Sequence, residues 1–354
     1  MTDVMTRPLH GGIFRLTAAG GTVEVVSGHL PVLRLLPEYD ELARHCRVPV
    51  TARAAWVRAR LVADAGALPW ALVLRTADGG MRAAMVLLDE TGAGGRTVLA
   101  SGGEGYRAAV AAVDPEAAAG LGSALAVELA RRPGHRQLSL GPLADDETTG
   151  WLAGALGAQV VPSDPVPWVR SSDGPEVTAY LSHGLRKTLR KARNRMVTDG
   201  LTHEFRLTSD PSTLSDLLPA MEQAYRDRDR EHGLPCLLDT PAGLRLWRGR
   251  VLGLMDAGCL EVATLTVDGK LAAYVLGVRD GNRYGVLEGR FVTALSRYAP
   301  GRLLEAAVLQ RVVQDDRFVG LDWMTGVAPE TLLAANDVDN AVLLQRPALG
   351  SELS

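Results

Sequence analysis

The stretch CLEVATLTVDGKLAAYVLGVRDGNRYGVLEGRFVTALSRYAPGRLLEAAVLQRVVQDDRFVGLDWM, from Cys259 to Met324, decides the fold of this chain. Glycine-containing turns at 268–269 and 280–282 separate three runs of strand-forming residues, and this spacing predicts a three-stranded antiparallel meander. The predicted elements, in chain order, are strands over 259–267, 271–279 and 284–291, a helix over 303–313 and a last strand over 320–324. Strands and a helix in this order predict an α/β unit.

The start of the helix is a predicted anion-binding site. The first backbone N–H groups of a helix have no intrahelical acceptor, and the helix dipole is positive at this end. Here Gly301, Arg302, Leu303 and Leu304 supply these N–H groups after Pro300, and Arg302 also carries a positive charge. We therefore expect a phosphorylated ligand to bind at 300–304.

The order of these elements, the segment Ala-Pro-Gly-Arg-Leu-Leu at 299–304 and the segment Leu-Asp-Trp at 321–323 resemble the GNAT acyltransferase superfamily. SHGLRKTLRKARNRM at 182–196 and EQAYRDRDREHG at 222–233 are similar to one branch of it, which includes FemAB-like aminoacyltransferases and acetyltransferases associated with cellulose biosynthesis. Members are usually tandem proteins. The resemblance implies an α/β fold with two tandem GNAT-like domains, each a mixed, mostly antiparallel sheet flanked by helices.

We expect the domains to be 1–172, a degenerate N-terminal GNAT-like copy, and 173–354, a C-terminal GNAT domain that carries the active cleft. The linker-like cluster SSDGP at 171–175 suggests this boundary. In the first copy, Gly120-Leu121-Gly122-Ser123 opens a predicted helix, and Ala117 stands where the superfamily usually has Gln or Arg. These glycines either bind an anion or let the helix approach the sheet.

Composition narrows the class of protein. The chain has 354 residues, 47% of them hydrophobic, and a net charge of −3, so a site for a polyanion must be local. Three widely spaced cysteines without a CxxC pair argue against a disulfide framework and a structural zinc, and we expect no metal. Without a signal peptide or a membrane-length apolar run, the sequence predicts a cytoplasmic protein that does not use a membrane. We expect a monomer or a homodimer.

The family resemblance implies the reaction. The first hypothesis is N-acyl transfer from acyl-CoA, in particular acetyl-CoA, to an amine of a small molecule or peptide. The second replaces the CoA co-substrate by aminoacyl-tRNA, as in the FemAB-like branch, which would make tRNA a partner. The third is a catalytically silent tandem module that binds an acyl-CoA or a protein.

Acyl transfer to an amine needs a base for the amine and an acid for the departing thiolate. Period-two alternation along the strand 284–291 places Tyr284, Val286, Glu288 and Arg290 on one face. Glu288 is the candidate base, since the superfamily often carries a glutamate in this region, and Tyr284 is the candidate acid. The alternatives are an internal ion pair for Glu288 and core packing for Tyr284.

A basic helix is the main candidate for substrate binding. Six of the ten residues over 186–195 are Lys or Arg, and Lys187, Arg190 and Lys191 lie beside the apolar stripe Leu185-Leu189-Ala192-Met196. Like charges at this spacing repel, which indicates an anionic substrate or a tRNA acceptor stem. A solvated face balanced by nearby acids remains the alternative.

Four further residues are candidates for contact with the acceptor. Tyr225 and Arg228 lie on a predicted helix over 214–231, which in the family lines the acceptor side of the cleft. Arg290 lies on the candidate catalytic strand, and Asp322 lies on the strand that we expect to separate from it. A second helix over 241–257, including Trp247, is predicted to be core.

Overall fold

A computed structural model describes residues 13–18, 21–63, 66, 68–92, 95–100, 106–132, 136–172, 174–324 and 332–347. The chain forms two compact units, 1–164 with 340–354 and 165–339. The described residues form sixteen strands: β1 (Ile13–Ala18), β2 (Gly21–Ser27), β3 (Leu68–Arg75), β4 (Met81–Gly92), β5 (Gly95–Ala100), β6 (Ala111–Ala112), β7 (Arg136–Ala144), β8 (Gln159–Pro162), β9 (Val166–Arg170), β10 (His203–Thr208), β11 (Leu260–Val267), β12 (Lys270–Asp280), β13 (Arg283–Phe291), β14 (Gly320–Asp322), β15 (Asp337–Asp339) and β16 (Ala341–Arg346). They also form eight α-helices: α1 (His29–His45), α2 (Ala54–Ala63), α3 (Pro115–Arg131), α4 (Glu147–Leu156), α5 (His183–Thr198), α6 (Pro211–Glu231), α7 (Pro241–Asp256) and α8 (Pro300–Val313).

The first unit is a mixed sheet between two apolar layers. Its strand order is β1-β2-β3-β4-β5-β7-β16-β8, with β6 beside β4, and only β5 and β7 pair in parallel. Alternate side chains of the sheet pack against α3 and α4 on one side and against α1 and α2 on the other. Because successive side chains of a strand point to opposite faces of the sheet, the strands contribute side chains to both cores.

The glycines of the predicted first-copy anion loop lie inside a helix. α3 begins at Pro115, and Gly120 and Gly122 are buried within it. A Cβ at Gly122 would lie 2.8 Å from the carbonyl oxygen of Leu152 in α4, so the absent side chain permits close packing of the two helices. The expectation that glycines open this helix was wrong. Gly122 instead allows α3 to pack closely against α4.

The second unit is built on the predicted meander. Its strand order is β10-β11-β12-β13-β14-β9-β15, in which β11, β12 and β13 are antiparallel neighbours and β13 pairs in parallel with β14. Helix α8 connects these two parallel strands, and its buried side is part of one core with α5. Helices α6 and α7 lie against the sheet as well, through contacts with β13 and β11.

The boundaries of the two units differ from the single boundary that we expected at 172/173. Strand β9 pairs with β14 and β15 and therefore belongs to the second sheet. Strand β16 pairs with β7 and β8 and closes the first sheet. The fold class is as predicted: mixed α/β, with two mixed sheets flanked by helices. None of the eight helices has the length and the apolarity that crossing a membrane requires, among the residues described.

Candidate active site

Strand β13 pairs with β14 over a short stretch only. Their parallel ladder has three residue pairs and ends at Gly285 and Asp322. Beyond this point β13 runs on to Phe291 and, among the described residues, pairs with β12 alone. We refer to the space beside this open edge of β13 as the wedge, and the predicted separation of the two strands stays a prediction.

Two non-glycine residues with left-handed backbones flank this region. Ala299, directly before α8, has φ 46°, and Met324, just beyond Trp323 after the end of β14, has φ 64°. Such conformations cost free energy in residues other than glycine and are found often at functional sites. They indicate that the chain is held in a specific path before the start of α8 and after the end of β14.

The first turn of α8 contains all five residues of the predicted anion site. The helix begins at Pro300 and has no side-chain cap at its N-terminus. The N–H of Leu303 donates to the carbonyl oxygen of Ala299 at 3.1 Å, so fewer N–H groups remain for a ligand than the sequence suggested. Arg302 donates to Glu305 at 3.0 Å, and burial raises the pKa of that glutamate.

The corresponding helix of the first unit is closed to an anion. Asp114 caps α3, and its carboxylate accepts the N–H of Ala117 at 2.7 Å and an N–H of Arg82 at 2.9 Å. This fixed negative charge occupies the positive end of the helix dipole. Of the two crossover helices, α8 is the one whose N-terminus has no such cap.

Glu288 lies half-buried on β13, next to the wedge. Its Oε1 accepts the hydroxyl of Tyr274 at 2.5 Å, and its Oε2 accepts the indole N–H of Trp247 at 3.2 Å. Burial raises the pKa of Glu288, while Arg290 and the two hydrogen bonds oppose this shift. A carboxylate with a raised pKa can accept a proton from an amine near neutral pH.

Tyr284 lies on the opposite face of the sheet from Glu288. In the ladder with β12, Gly277 pairs with Val286 while its neighbour Leu276 pairs with Glu288, so Leu287 is an extra residue in β13. This β-bulge reverses the alternation, and the expectation that Tyr284, Val286, Glu288 and Arg290 share one face was wrong.

The surroundings of Tyr284 are those of a core residue. Its ring packs edge-on against Phe318 and lies within the apolar core beneath α8. Its hydroxyl is buried and finds no hydrogen-bond partner among the residues that the structure describes, and burial raises the pKa of Tyr284. We therefore assign it no proton transfer.

Three predicted acceptor-binding residues lie together around Glu288. The guanidinium of Arg290 lies 4.3 Å from the ring centroid of Tyr225, and that of Arg228 lies 5.9 Å from the ring of Phe291. Burial and the charge of Glu288 raise the pKa of Tyr225 to about 12, so its hydroxyl stays protonated. The buried carboxylate of Asp229 is part of the same cluster.

The basic helix α5 has the predicted amphipathic form. Leu189, Ala192 and Met196 are buried and Leu185 is half-buried against them. Its six cationic side chains are exposed. Within the part of the chain that is described, the structure records no ion pair for Arg186, Lys187, Arg190, Lys191 or Arg193. The balance by nearby acids that the sequence left open is thus not found there.

The C-terminal end of α5 is tied to the segment before α8. Arg195 donates to the carbonyl oxygen of Arg297 at 2.8 Å. Asp199 accepts both an Arg297 N–H and the Tyr298 hydroxyl at 2.6 Å. The exposed cations of α5 therefore continue toward the predicted anion site.

Asp322 has internal partners. It is buried, accepts the backbone N–H of Met324 at 2.7 Å and lies 3.6 Å from the guanidinium of Arg283. Arg283 also pairs with Asp339 of β15. This arrangement fixes the end of β14, and it does not support the predicted contact of Asp322 with the acceptor.

Sequence reasoning missed three residues of the cluster. Trp247 was assigned to the core, and it is buried, but its indole also positions Glu288. Tyr274 and Asp229 were not singled out. Tyr274 lies opposite Arg290 in the ladder, and this pairing depends on the bulge, which the sequence does not reveal.

No group of three or more His, Cys, Asp or Glu side chains is placed to hold a metal ion in the described ranges.

Comparison with known families identifies the second unit. Residues 183–330 match the model of the acetyltransferase (GNAT) domain, which covers α5 to α8, the meander and the wedge. The chain therefore contains a GNAT acetyltransferase domain, and this match supports an acyltransferase. The match confirms the family resemblance seen in the sequence, and it spans Glu288 and the predicted anion site at the start of α8. A search of curated proteins finds no significant match.

Solved structures share the fold at low sequence identity. FemX superposes with a TM-score of 0.56 at 10% identity, covering 81% of this chain and 87% of that chain. The C-terminal domain of a putative lysylphosphatidylglycerol synthetase from Agrobacterium fabrum gives 0.54 at 14%, covering 87% and 91%. L-PGS from Bacillus licheniformis gives 0.52 at 11%, covering 88% and 91%. Each superposition covers more of this chain than either unit contains, so both GNAT-like units share the fold.

Proposed function

We propose that this GNAT-type acyltransferase moves an acyl group from acyl-CoA, with acetyl-CoA as the first candidate, to an amine of a small molecule or a peptide. The observation that carries the proposal is the wedge beside the open edge of β13, with an uncapped N-terminus at helix α8 and Glu288 on β13 itself. The GNAT match over the same residues supports acyl transfer.

The proposed roles follow from the placement of each group. The phosphates of the donor bind at residues 300–304, where the helix dipole and Arg302 supply positive charge. Glu288 takes the proton of the acceptor amine, directly or through water. The amine nitrogen then attacks the thioester carbon, the C–N bond forms, the C–S bond breaks and CoA leaves as the thiolate.

A second candidate donor is aminoacyl-tRNA. It is favoured by the exposed cations of α5, for which the described residues offer no ion-pair partner, and by the fold shared with FemX and L-PGS. In this alternative, Lys187, Arg190 and Lys191 contact tRNA phosphates. With a CoA donor, we propose that the same side chains contact an anionic part of the acceptor.

Turnover separates the two donors. The purified protein is incubated with acetyl-CoA and a panel of amines, and both the released CoA thiol and the mass of the product are measured. We expect thiol release that depends on the amine. Thiol release from no amine, together with retention of aminoacyl-tRNA in low salt, would replace the CoA donor by tRNA.

A further inference from the structure

The cluster around Glu288 contains two half-buried cations that have no close ion-pair partner among the described residues. Arg228 and Arg290 are both half-buried. No carboxylate oxygen among the described residues is recorded within the 4.0 Å ion-pair distance of either guanidinium. The Nε of Arg290 is buried and has no hydrogen-bond partner in the described part of the chain.

The two guanidinium groups are close enough to affect each other. Burial lowers the pKa of Arg228, and the charge of Arg290 lowers it further, while Asp229 and Glu231 oppose the shift without reversing it. Two neighbouring like charges, withdrawn from water, are unfavourable unless an anion compensates them. Their contacts with the rings of Tyr225 and Phe291 orient the guanidiniums but do not cancel their charge.

The same cluster also offers negative charge at separate positions. Glu288 and Asp229 both act on Arg290 electrostatically, without forming a close ion pair with it. Cationic and anionic groups that do not pair with one another are complementary to a ligand that carries both charges.

We propose that the acceptor is a zwitterion, an amine that also carries a carboxylate, such as an amino acid or the free C-terminus of a short peptide. Arg228 and Arg290 hold its carboxylate, and its amino group lies at Glu288. This inference rests on the proposed function. The phosphates of the donor are another anion that the two arginines could bind. Their proposed site, however, is the N-terminus of α8. Arg290 lies on the same face of the sheet as Glu288, away from the core beneath α8.

Matched pairs of acceptors test this inference. Each of the common amino acids and a set of dipeptides is offered as the free acid and as the carboxamide, with acetyl-CoA as the donor. For the pairs that react, we expect kcat/KM to be at least about tenfold higher for the free acid, the effect of one charge-assisted contact. Binding of the same pairs to the CoA-loaded protein is measured by calorimetry, which does not depend on turnover.

Variants test whether the two arginines cause the preference for the free acid over the carboxamide. Arg290→Gln and Arg228→Gln should each reduce the preference for the free acid to about threefold or less, and Arg290→Lys should retain part of it. CoA affinity should stay unchanged in all three. Arg245→Gln, an exposed arginine on α7, is the matched control and should keep the parent's preference.

The outcomes separate this inference from the proposed function. Equal turnover of acids and carboxamides would overturn the zwitterionic acceptor while leaving acyl transfer in place. Selective binding of acids that Arg290→Gln abolishes, without turnover of any amine, would support the acceptor class and refute the CoA-dependent reaction. Loss of CoA affinity in Arg290→Gln, with the acid preference retained, would assign the arginines to the donor phosphates. Absence of selectivity in both binding and turnover would also overturn the inference.

Discussion

Glu288 is the side chain on which the proposed chemistry depends. Replacement by Gln keeps its shape and hydrogen-bonding atoms but removes the base. We expect Glu288→Gln to lower kcat by about 10²–10⁴-fold, with little change in acyl-CoA affinity, because general-base catalysis contributes on this scale. Steady-state kinetics and calorimetry on one preparation make the comparison. An unimpaired kcat would return Glu288 to a structural role.

The pH dependence gives the same residue a second signature. The base must be deprotonated, so kcat should fall as pH decreases through its pKa. Because burial raises the pKa of Glu288, this decline should occur above the range of an ordinary glutamate. The decline should be absent from the residual activity of Glu288→Gln. An identical profile for parent and variant would assign the decline to another group.

Tyr284 provides the contrasting case on the other face of the strand. Its hydroxyl is buried without a partner, so removal of the oxygen relieves an unsatisfied polar group. We expect Tyr284→Phe to keep kcat and to raise the free energy of unfolding by about 1 kcal/mol. Denaturant unfolding and steady-state rates measure both. A large loss of kcat in a folded variant would restore the role as an acid that the sequence suggested.

At the scale of single elements, the exposed face of α5 is either a binding surface or an ordinary solvated face. Lys187, Arg190 and Lys191 are exposed, whereas the apolar stripe of the helix is buried in the core. Replacing these three by Gln should therefore preserve folding and donor binding. We expect weaker acceptor or tRNA affinity and a shallower salt dependence.

Arg245→Gln on α7 is again the control for this triple variant, since it removes an exposed charge from the same unit. Equal activity of parent and triple variant across a salt titration, with both fully folded, would show that α5 is an ordinary solvated face.

The elements also show where sequence patterns succeed and where they fail. The meander, α6 and α7 were predicted within a few residues, because their turns, caps and periodicity are local. Thr240, for example, caps α7 as its sequence suggests. Proline favours the first turn of a helix, so Pro37 suggests a helix start, yet α1 begins at His29, because Val32 and Leu36 extend its buried face. A single extra residue at 287 reversed the face assignment of Tyr284, and no local signal marks that bulge.

At the scale of the whole molecule, each sheet depends on a strand that lies outside the expected domain. β9 lies between β14 and β15 in the second sheet, and β16 lies between β7 and β8 in the first. Pairing between strands so distant in sequence leaves no trace in composition or periodicity. The linker-like residues at 171–175 therefore suggested a boundary that cuts β9 from its sheet.

This arrangement predicts which fragment folds. The fragment 165–339 contains every strand of the second sheet, so we expect cooperative thermal unfolding. The fragment 173–354 lacks β9, which leaves β14 and β15 without the strand that joins them, and we expect no cooperative transition. Circular dichroism of the two fragments makes the comparison. Equal cooperativity of both would contradict the assignment of β9 to the second core.

The central claim is that the start of α8 binds the phosphates of an acyl-CoA, and calorimetric titration of CoA tests it most directly. We predict saturable binding to the parent protein. Arg302→Glu should weaken it by about 1–3 kcal/mol, or roughly 5- to 150-fold in Kd, because a charge-assisted contact becomes a repulsion. Arg245→Glu should bind as the parent does. CoA affinity that is absent in the parent, or equal in parent and Arg302→Glu, would contradict the claim.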